Sequence, residues 1–587
     1  MSGKHFYTDE KNAQIVIALL KAHGIRKVIA NPGTTNIAIV GSVQNDPWFQ
    51  VYSGIDERHS AYMAVGMAAE SGEPVVLSCT GATASRNYLS ALTEAYYRKL
   101  PILAVTSMQN FAGVGQLYPQ AIDRSVLPRD VVRRSFELGT IKDFQDETVC
   151  VRKVNEAILD LRRDGGGPVL INLEMGGCMT FNTKELPNQE KLERFTAEDT
   201  SIMPELPMDK KIILFLGSGM YAKSWRAFAS KYNVVVIADQ SVSYDGPNRV
   251  SAALLCWQKG FRSNPQYETL KPDLIISAGE VSGDYPVLGY LKGLSPIWRV
   301  SSDGEIRSQF GVPQKTFQMS AQFFVRHYAG GFDNDKVDRV SCFASTWRDA
   351  DAKIRSRIKD LPFSNPWIAK RLSAVLDEGV TLHLGILNSL RAWNFFPAKD
   401  GIDTFSNVGG FGIDGGVSTL IGASLARPDR LHFGVFGDLA FFYDLNSLGN
   451  RHIGKNLRIL VVNNGCGTEF NMYFHPGSQF GNHTNDYIAA GRHFGNKNKV
   501  LLEHYAKDLG FEYLQANNKD EFDVQIKRFL SDSDRSIIFE CFTEPKLESE
   551  ACDILQKLDP FIVQHHITVK DLVPKSVKDI AKTILRR

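Results

Sequence analysis

Nothing in this 587-residue sequence points to nucleic acid, a membrane or an oxidising compartment. The formal net charge is only +2, so neither a polyanion nor an anionic bilayer is an expected partner. Apolar runs are strand-length at most, too short to span a bilayer. The polar start MSGKHFYTDEKN lacks the apolar stretch of a signal peptide. Eight cysteines (Cys79, Cys150, Cys178, Cys256, Cys342, Cys466, Cys541 and Cys552) include no CxxC pair and no regular spacing. Free thiols in a reducing cytoplasm are therefore expected. There is no short internal repeat and no low-complexity tract.

What is present is strand–helix alternation in three blocks, in a chain too long for one core. The first runs NAQIVIALLKAHGIRKVIANPGTTN (helix, strand, Pro-Gly turn), strand FQVYSGI, helix DERHSAYMAVGMAAESG, strand PVVLSCTG, helix SRNYLSALTEAYYRKL and strand PILAVTS, closing on GPVLINLEM. The second carries the strands IILFLGSG, NVVVIADQ and DLIISAGE; the third carries LHFGVFGD, RILVVNNG and SIIFECF. Apolar strands alternating with amphipathic helices predict βαβ units and parallel sheets. The expected fold is therefore α/β, with three consecutive doubly wound parallel-sheet domains at 1–185, 205–335 and 360–550. A C-terminal extension follows at 551–587, where the basic VKDLVPKSVKDIAKTILRR suits a helix. The polar, Pro-bearing stretch 182–211 reads as a linker, and the charged region around 330–365 as a second boundary. The GSG of the second block, without a full GxGxxG, needs no more than a strand–turn–helix.

Chemistry gathers at two strand ends. LHFGVFGD ends in Asp438 and RILVVNNG ends in Asn463 and Asn464. In open parallel sheets, ligands collect outside the carboxyl ends of the strands. The intervening LAFFYDLNSLGNRHIG is long enough for one crossover helix, which would aim both ends into one crevice. Carboxylate and amide oxygens are hard ligands suited to Mg²⁺ or Ca²⁺, and such a site leaves positions for phosphate oxygens. The same residues also suit a helix cap and a turn-forming Asn-Gly.

A Gly-Asp followed, after a helix and a strand, by Asn-Asn resembles the motif of the thiamine diphosphate (ThDP) enzymes. That family orders its domains as pyrimidine-binding, middle and diphosphate-binding, and places a glutamate at a helix start in the first; SGIDERHSAYMAVGMA supplies Glu57. Within it, GDLAFFYDLNSL, SNVGGFGIDGG, NYLSALTEAYY and PQAID are similar to the menaquinone-pathway carboligases, the 2-succinyl-5-enolpyruvyl-6-hydroxy-3-cyclohexene-1-carboxylate synthases. The resemblance implies ThDP and Mg²⁺ as cofactors. Glu57 would hydrogen-bond the aminopyrimidine, though an acid beside the cap Asp56 also suits a helix first turn. Ile413 would press against the cofactor; plain core packing is its other reading. Thr83, Gly410, Gly437, Asp438, Leu439 and Asn464 complete the cofactor contacts, and the metal would take Asp438, Asn464 and the Cys466 carbonyl. The family also implies a homo-oligomer with sites at the subunit interface.

The match lapses where those relatives hold dicarboxylates with arginines. In NPGTT, Thr35 stands beside Thr34 in an arginine's place; Gln109, Trp393 and Val408 replace three more. Gln120, Ser389 and Phe470 still match, and Arg86, Arg391 and His475 remain to meet an anion. A lost charge-assisted hydrogen bond costs about 1.5–3 kcal/mol, so four losses imply a changed substrate. The expectation is a 2-oxo acid decarboxylase and carboligase with a pyruvate-like donor and a carbonyl or enone acceptor. The alternatives are the menaquinone synthase itself, an acetolactate synthase or simple decarboxylase, a non-catalytic ThDP-fold binding module, and a nicotinamide oxidoreductase.

Overall fold

The computed structural model describes residues 6–219, 222–294, 296–330, 339–493 and 498–560. It divides into two compact units, one of residues 1–195 with 312–316, the other of 196–311 with 317–587.

The first unit is built on β1 (Lys27–Ala30), β2 (Gln50–Ser53), β3 (Val75–Thr80), β4 (Ile102–Met108), β5 (Arg134–Leu138) and β6 (Val169–Glu174), in the spatial order β2-β1-β3-β4-β6-β5. All its pairings are parallel. Strand alternation sends Val76, Leu103 and Ile171 into a core that also holds Ile15, Leu19, Val154 and Ile158. Val75, Leu77 and Ala104 enter a second core with Ala61, Ala64 and Leu92. Both faces are thus covered by helices, as near-continuous apolar strands require. The expected linker contains a short strand, β7 (Glu193–Thr196). Its Glu193 amide donates to the Gln314 carbonyl at 2.9 Å, so the returning segment 312–316 stays with this unit.

The second unit carries two sheets. In the middle block, β8 (Ile212–Leu216), β9 (Val234–Ala238), β10 (Arg249–Val250), β11 (Leu274–Ala278) and β12 (Ile297–Ser301) run β10-β9-β8-β11-β12, all parallel. After β13 (Lys315–Gln318) come β14 (Thr381–Leu384), β15 (Asp403–Ser406), β16 (His432–Gly437), β17 (Leu457–Asn463), β18 (Glu512–Ala516) and β19 (Ile537–Phe542). These six run β15-β14-β16-β17-β19-β18, again all parallel. The α/β class and three parallel sheets are therefore as expected.

Boundaries within this unit differ from the expectation. Phe215 and Ile237 of the middle sheet share one core with Val435, Leu460 and Phe539 of the third. The charged stretch taken as a boundary contains the helix Cys342–Arg355, which drives the fully buried Trp347 into that core. The boundary at 550 falls inside the helix Pro545–Gln556, whose Ala551, Cys552 and Leu555 are buried. The helix expected from the basic tail lies outside the described residues. Among the described residues no helix is long and apolar enough to cross a membrane, and all eight cysteines are free thiols.

Two expected helices are broken. SRNYLSALTEAYYRKL splits into Thr83–Asn87 and Leu89–Arg98 around Tyr88, whose ring is fully buried. The segment after β16 forms Asp438–Tyr443 and then a 3₁₀ turn, Leu445–Gly449. Between them, the Asp444 carboxylate accepts from the Ser418 amide at 2.6 Å and from its hydroxyl at 2.7 Å.

Candidate functional site

Glu57 is the first residue of the helix Glu57–Ser71, which begins just past the edge strand β2. Asp56 caps it, its carboxylate accepting from the His59 amide at 3.2 Å, and Gly72 closes it in the left-handed conformation at φ 66°. The helix start is fastened from below. Asn31, the residue after β1, donates to the Gly54 carbonyl at 2.8 Å and to the Ser60 hydroxyl at 2.9 Å. The Tyr88 hydroxyl donates to Asn31 Oδ1 at 2.7 Å, and the Ser60 hydroxyl donates to the Asp56 carbonyl at 2.9 Å. Asn31, Ser60 and Tyr88 are buried. Glu57 itself stays half-exposed at the end of this rigid post. Gly54 must be glycine, since a Cβ there would lie 1.9 Å from the Ser60 hydroxyl.

The sequence reasoning missed Asn31, Ser60 and Tyr88. Asn31 sits directly at a strand's carboxyl end, the signal that singled out Asp438. Nothing local marks the other two.

β1 leads to β2 on one side and β3 lies on its other side, so the topological switch point falls between β1 and β3. A cleft of about 560 Å³ opens beside the ends of β3 and β4, lined among others by Thr35, Gly81, Ser107, Gln109 and Gln120. The structure thus brings Thr35 and Gln120 to one cleft. The Thr35 hydroxyl donates to the Ser107 carbonyl at 2.6 Å and lies 2.7 Å from the Thr80 hydroxyl. Gln120 holds the left-handed backbone conformation, φ 67°, a costly one for a side chain with a Cβ. Thr34 and Thr83 are exposed and do not line this cleft. The Arg86 guanidinium donates to the Asp123 carbonyl at 2.8 Å.

In the third sheet, β16 and β17 are neighbours with Gly437 opposite Val462, so their ends meet as expected. Asp438 is buried, and its Oδ2 accepts from the Gly465 amide at 3.1 Å. Burial pushes its carboxyl up to about 7, against backbone amides of Leu439, Gly465 and Asn464 that pull it down. Asn463 and Asn464 part company, as adjacent strand residues do. Asn463 donates to Glu540 at 2.7 Å on the far side. The Asn464 side chain hydrogen-bonds the buried Glu548, and its Oδ1 is buried without a partner. A carboxylate only accepts, so Glu548 takes the amide N–H and leaves Oδ1 free. Glu548, also unforeseen, accepts from Thr543 at 2.7 Å and from the Asn365 amide. The Cys466 carbonyl accepts from the Thr468 amide at 2.9 Å, and its thiol is pushed up by burial.

These donors fit a hard cation, for a buried carboxylate oxygen and an orphaned amide oxygen are what such an ion takes. Among the described residues no group of three or more His, Cys, Asp or Glu forms a metal cluster. Ile413 is half-buried and lines a cavity of only about 20 Å³ with Gly385, Ser406 and Phe436 at the ends of β14, β15 and β16. Gly437 and Leu439 flank Asp438 half-buried, and Gly410 is exposed.

Several substrate candidates turn out otherwise. Trp393 is fully buried and Val408 nearly so, both inside the shared core. They pack that core and do not line the cavity beside Ile413. Arg391 is not available to an anion, because its guanidinium grips Glu469 with two bonds of 2.7 Å and reaches Asn388 at 2.8 Å. Burial alone would pull that guanidinium down, but the Glu469 carboxylate raises it. Ser389 is buried, 3.5 Å from the Asn365 amide. Phe470 is half-buried with its ring edge-on to His475 at 5.3 Å, and His475 Nδ1 accepts from the Gly477 amide at 3.0 Å.

Residues 10–127 match the family model of the thiamine pyrophosphate enzyme N-terminal TPP binding domain, and residues 388–541 that of the C-terminal TPP binding domain. Similar curated proteins include 2-succinyl-5-enolpyruvyl-6-hydroxy-3-cyclohexene-1-carboxylate synthases. That of Bacteroides thetaiotaomicron is 30% identical over 541 residues, 89% of this chain and 94% of the relative. That of Bacteroides fragilis is 29% identical over 92% of this chain and 97% of its own length. That of Desulfotalea psychrophila is 27% identical over 89% and 96%. Both TPP-binding domains occur in order on two sheets of one topology, and the likeness to whole relatives runs nearly end to end: the chain belongs to the thiamine diphosphate enzyme family.

Proposed function

We propose that the protein is a ThDP- and Mg²⁺-dependent enzyme that decarboxylates a 2-oxo acid and transfers the acyl carbanion to a carbonyl or enone acceptor. The observation that carries this is the orphaned Asn464 Oδ1 beside the buried Asp438 carboxylate, in the domain matched to cofactor binding. Asp438, Asn464 and the Cys466 carbonyl would hold the cation, with the backbone of Gly437 and Leu439 against the diphosphate. Gly410 leaves room for close approach, and Ile413 supplies an apolar wall. When bound, ThDP supplies the nucleophilic carbon and the electron sink for decarboxylation. Glu57, held by the Asn31–Ser60–Asp56 post, would exchange a proton with the aminopyrimidine, and Thr83 of the same domain would add a cofactor contact. A homo-oligomer with sites at subunit interfaces, which the family resemblance implies, is part of the proposal.

A pyruvate-like donor is the favoured substrate. Four positions expected to carry arginines hold Thr35, Gln109, Trp393 and Val408, and Arg391 is occupied by Glu469. The relatives' names favour a second reading, a 2-succinyl-5-enolpyruvyl-6-hydroxy-3-cyclohexene-1-carboxylate synthase, for which 2-oxoglutarate is the donor to offer. The test offers carboxyl-labelled pyruvate and 2-oxoglutarate separately to purified protein with ThDP and Mg²⁺. Labelled CO₂ from pyruvate supports the first reading, release from 2-oxoglutarate alone supports the second, and release from neither counts against both. Glu57→Gln is expected to keep ThDP bound and abolish release; full activity in that variant would remove Glu57 from its role.

A further inference from the structure

The connection after β17 carries two of the expected site residues, Cys466 with its carbonyl and Phe470. Glu469 lies between them, in the 3₁₀ turn Thr468–Asn471. Its carboxylate accepts two bonds of 2.7 Å from the Arg391 guanidinium, which also donates to Asn388 Oδ1 at 2.8 Å. Further along, the Phe474 ring lies 5.2 Å from the same guanidinium and meets Trp257 edge-on at 5.1 Å. Trp257 stands 5.9 Å from the guanidinium on its own account. Both charged side chains are nearly covered, Arg391 at 10% exposure and Glu469 at 14%.

Arg391 belongs to the helix Asn388–Phe395, which follows β14. In the third sheet β14 and β17 are not neighbours, for β16, the strand that leads to Asp438, lies between them. The pair therefore joins the turn after β14 to the connection after β17, one on each side of Asp438's strand. That turn is strained: Leu387 holds φ 62° and ψ −113°, costly for a residue with a Cβ and kept only where the surroundings enforce it. Gly385 and Ile386, just before it, line the small cavity beside Ile413. Other bonds of the connection are internal to it. The Gly467 amide donates to the Ala489 carbonyl at 2.6 Å, and Asn471 donates to Asn485 at 2.9 Å. From outside, the Ser549 hydroxyl donates to the Asn471 carbonyl at 3.1 Å.

A buried ion pair adds little net stability over apolar residues of the same volume. A two-pronged guanidinium–carboxylate contact does fix distance and orientation. We propose that Arg391 and Glu469 are positioning residues: their pair latches the connection after β17 to the turn after β14, and so sets where the Cys466 carbonyl and Phe470 stand relative to Asp438 and Ile413. This rests on the cofactor roles proposed above for Asp438, Asn464 and Cys466. The two charges neutralise each other, so the pair acts by fixing geometry and adds no net charge to the site.

The test compares full-length wild type with Arg391→Lys and with the double variant Arg391→Met, Glu469→Leu. One readout is the Mg²⁺ concentration that half-saturates ThDP binding, followed by calorimetry. The other is amide hydrogen exchange of residues 465–474 in ligand-free protein. The double variant is expected to unfold close to the wild-type midpoint yet need about 10-fold more Mg²⁺, the low end of the 10–100-fold typical of groups that orient metal ligands. Its 465–474 amides should exchange faster while those of β16 and β17 keep their protection. Arg391→Lys, with a point charge in place of the fork, should fall between the two. Should the double variant not fold, Arg391→Lys decides alone by the same readouts. The proposal is overturned if the variants match wild type in Mg²⁺ requirement or in exchange at 465–474, for then the pair only stabilises. Exchange that quickens equally throughout β16 and β17 overturns it too, as general loosening. If wild type binds no ThDP, the decarboxylase reading falls, while faster exchange confined to 465–474 in the variants still supports the latch.

Discussion

The first and third sheets have the same strand order, β2-β1-β3-β4-β6-β5 and β15-β14-β16-β17-β19-β18, yet their carboxyl ends differ in every chemical respect. The first opens a cleft of about 560 Å³ edged by hydroxyls and amides. The third encloses only about 20 Å³ at the ends of β14, β15 and β16, and carries a buried acid, Asp438, and a free amide oxygen, on Asn464, just past β16 and β17. One topology thus sets where a site forms, and the residues placed at the strand ends set what it binds. Two buried arginines repeat the contrast: Arg391 is gripped by Glu469, whereas Arg124 has two donor nitrogens without partners.

The largest expected effect tests the third sheet. Asp438→Ala should lower ThDP retention through gel filtration more than about 100-fold, since removing the carboxylate proposed to hold the metal should exceed the 10–100-fold typical of supporting residues. Chelation of wild type should do the same and be reversed by Mg²⁺. Wild-type retention in Asp438→Ala would break the division of labour between the sheets.

Next comes the pairing of the arginines. Glu469→Ala leaves Arg391 buried and uncompensated and should cost about 3–5 kcal/mol in denaturant unfolding. The double variant Arg391→Met with Glu469→Leu should recover most of that loss. Arg124→Gln, measured alongside, should cost nothing. If both single variants destabilise equally, Arg124 has a partner and the contrast fails.

A middle-sized effect concerns the post under Glu57. Gly54→Ala forces a Cβ into the Ser60 hydroxyl and should destabilise by about 1–3 kcal/mol, moving the helix start and lowering turnover with it. Adding Ser60→Ala should restore part of the stability. Equal turnover in wild type and Gly54→Ala would show that the helix start tolerates displacement.

These tests bear on residues of unequal legibility. Strand–helix alternation made the three parallel sheets readable, because each apolar run is buried on both faces and its period is unambiguous. Asp438, Asn464 and Glu57 were readable as candidates because a strand end or helix start is itself a local pattern. The common core of the second unit was not, since Phe215 and Phe539 meet there from strands far apart in sequence. Trp393 was misplaced for the same reason: a helix position in LNSLRAW does not say which way its ring turns. Glu548 and Arg124 carry no local mark at all; only the folded chain shows that one orients Asn464 and the other lacks a counterion.

The smallest effect sharpens the first sheet alone. The Thr35 hydroxyl donates to the Ser107 carbonyl at 2.6 Å, and that carbonyl also accepts from the Gly81 amide at 2.7 Å. Losing one of two donors leaves the acceptor satisfied, so Thr35→Val should cost only about 1 kcal/mol. The loss should appear as a lower denaturant midpoint with unchanged slope, and Thr35→Ser should be close to neutral. If Thr35→Val instead keeps its stability, the hydroxyl is not committed to the Ser107 carbonyl and turns toward the cleft that Thr35 lines.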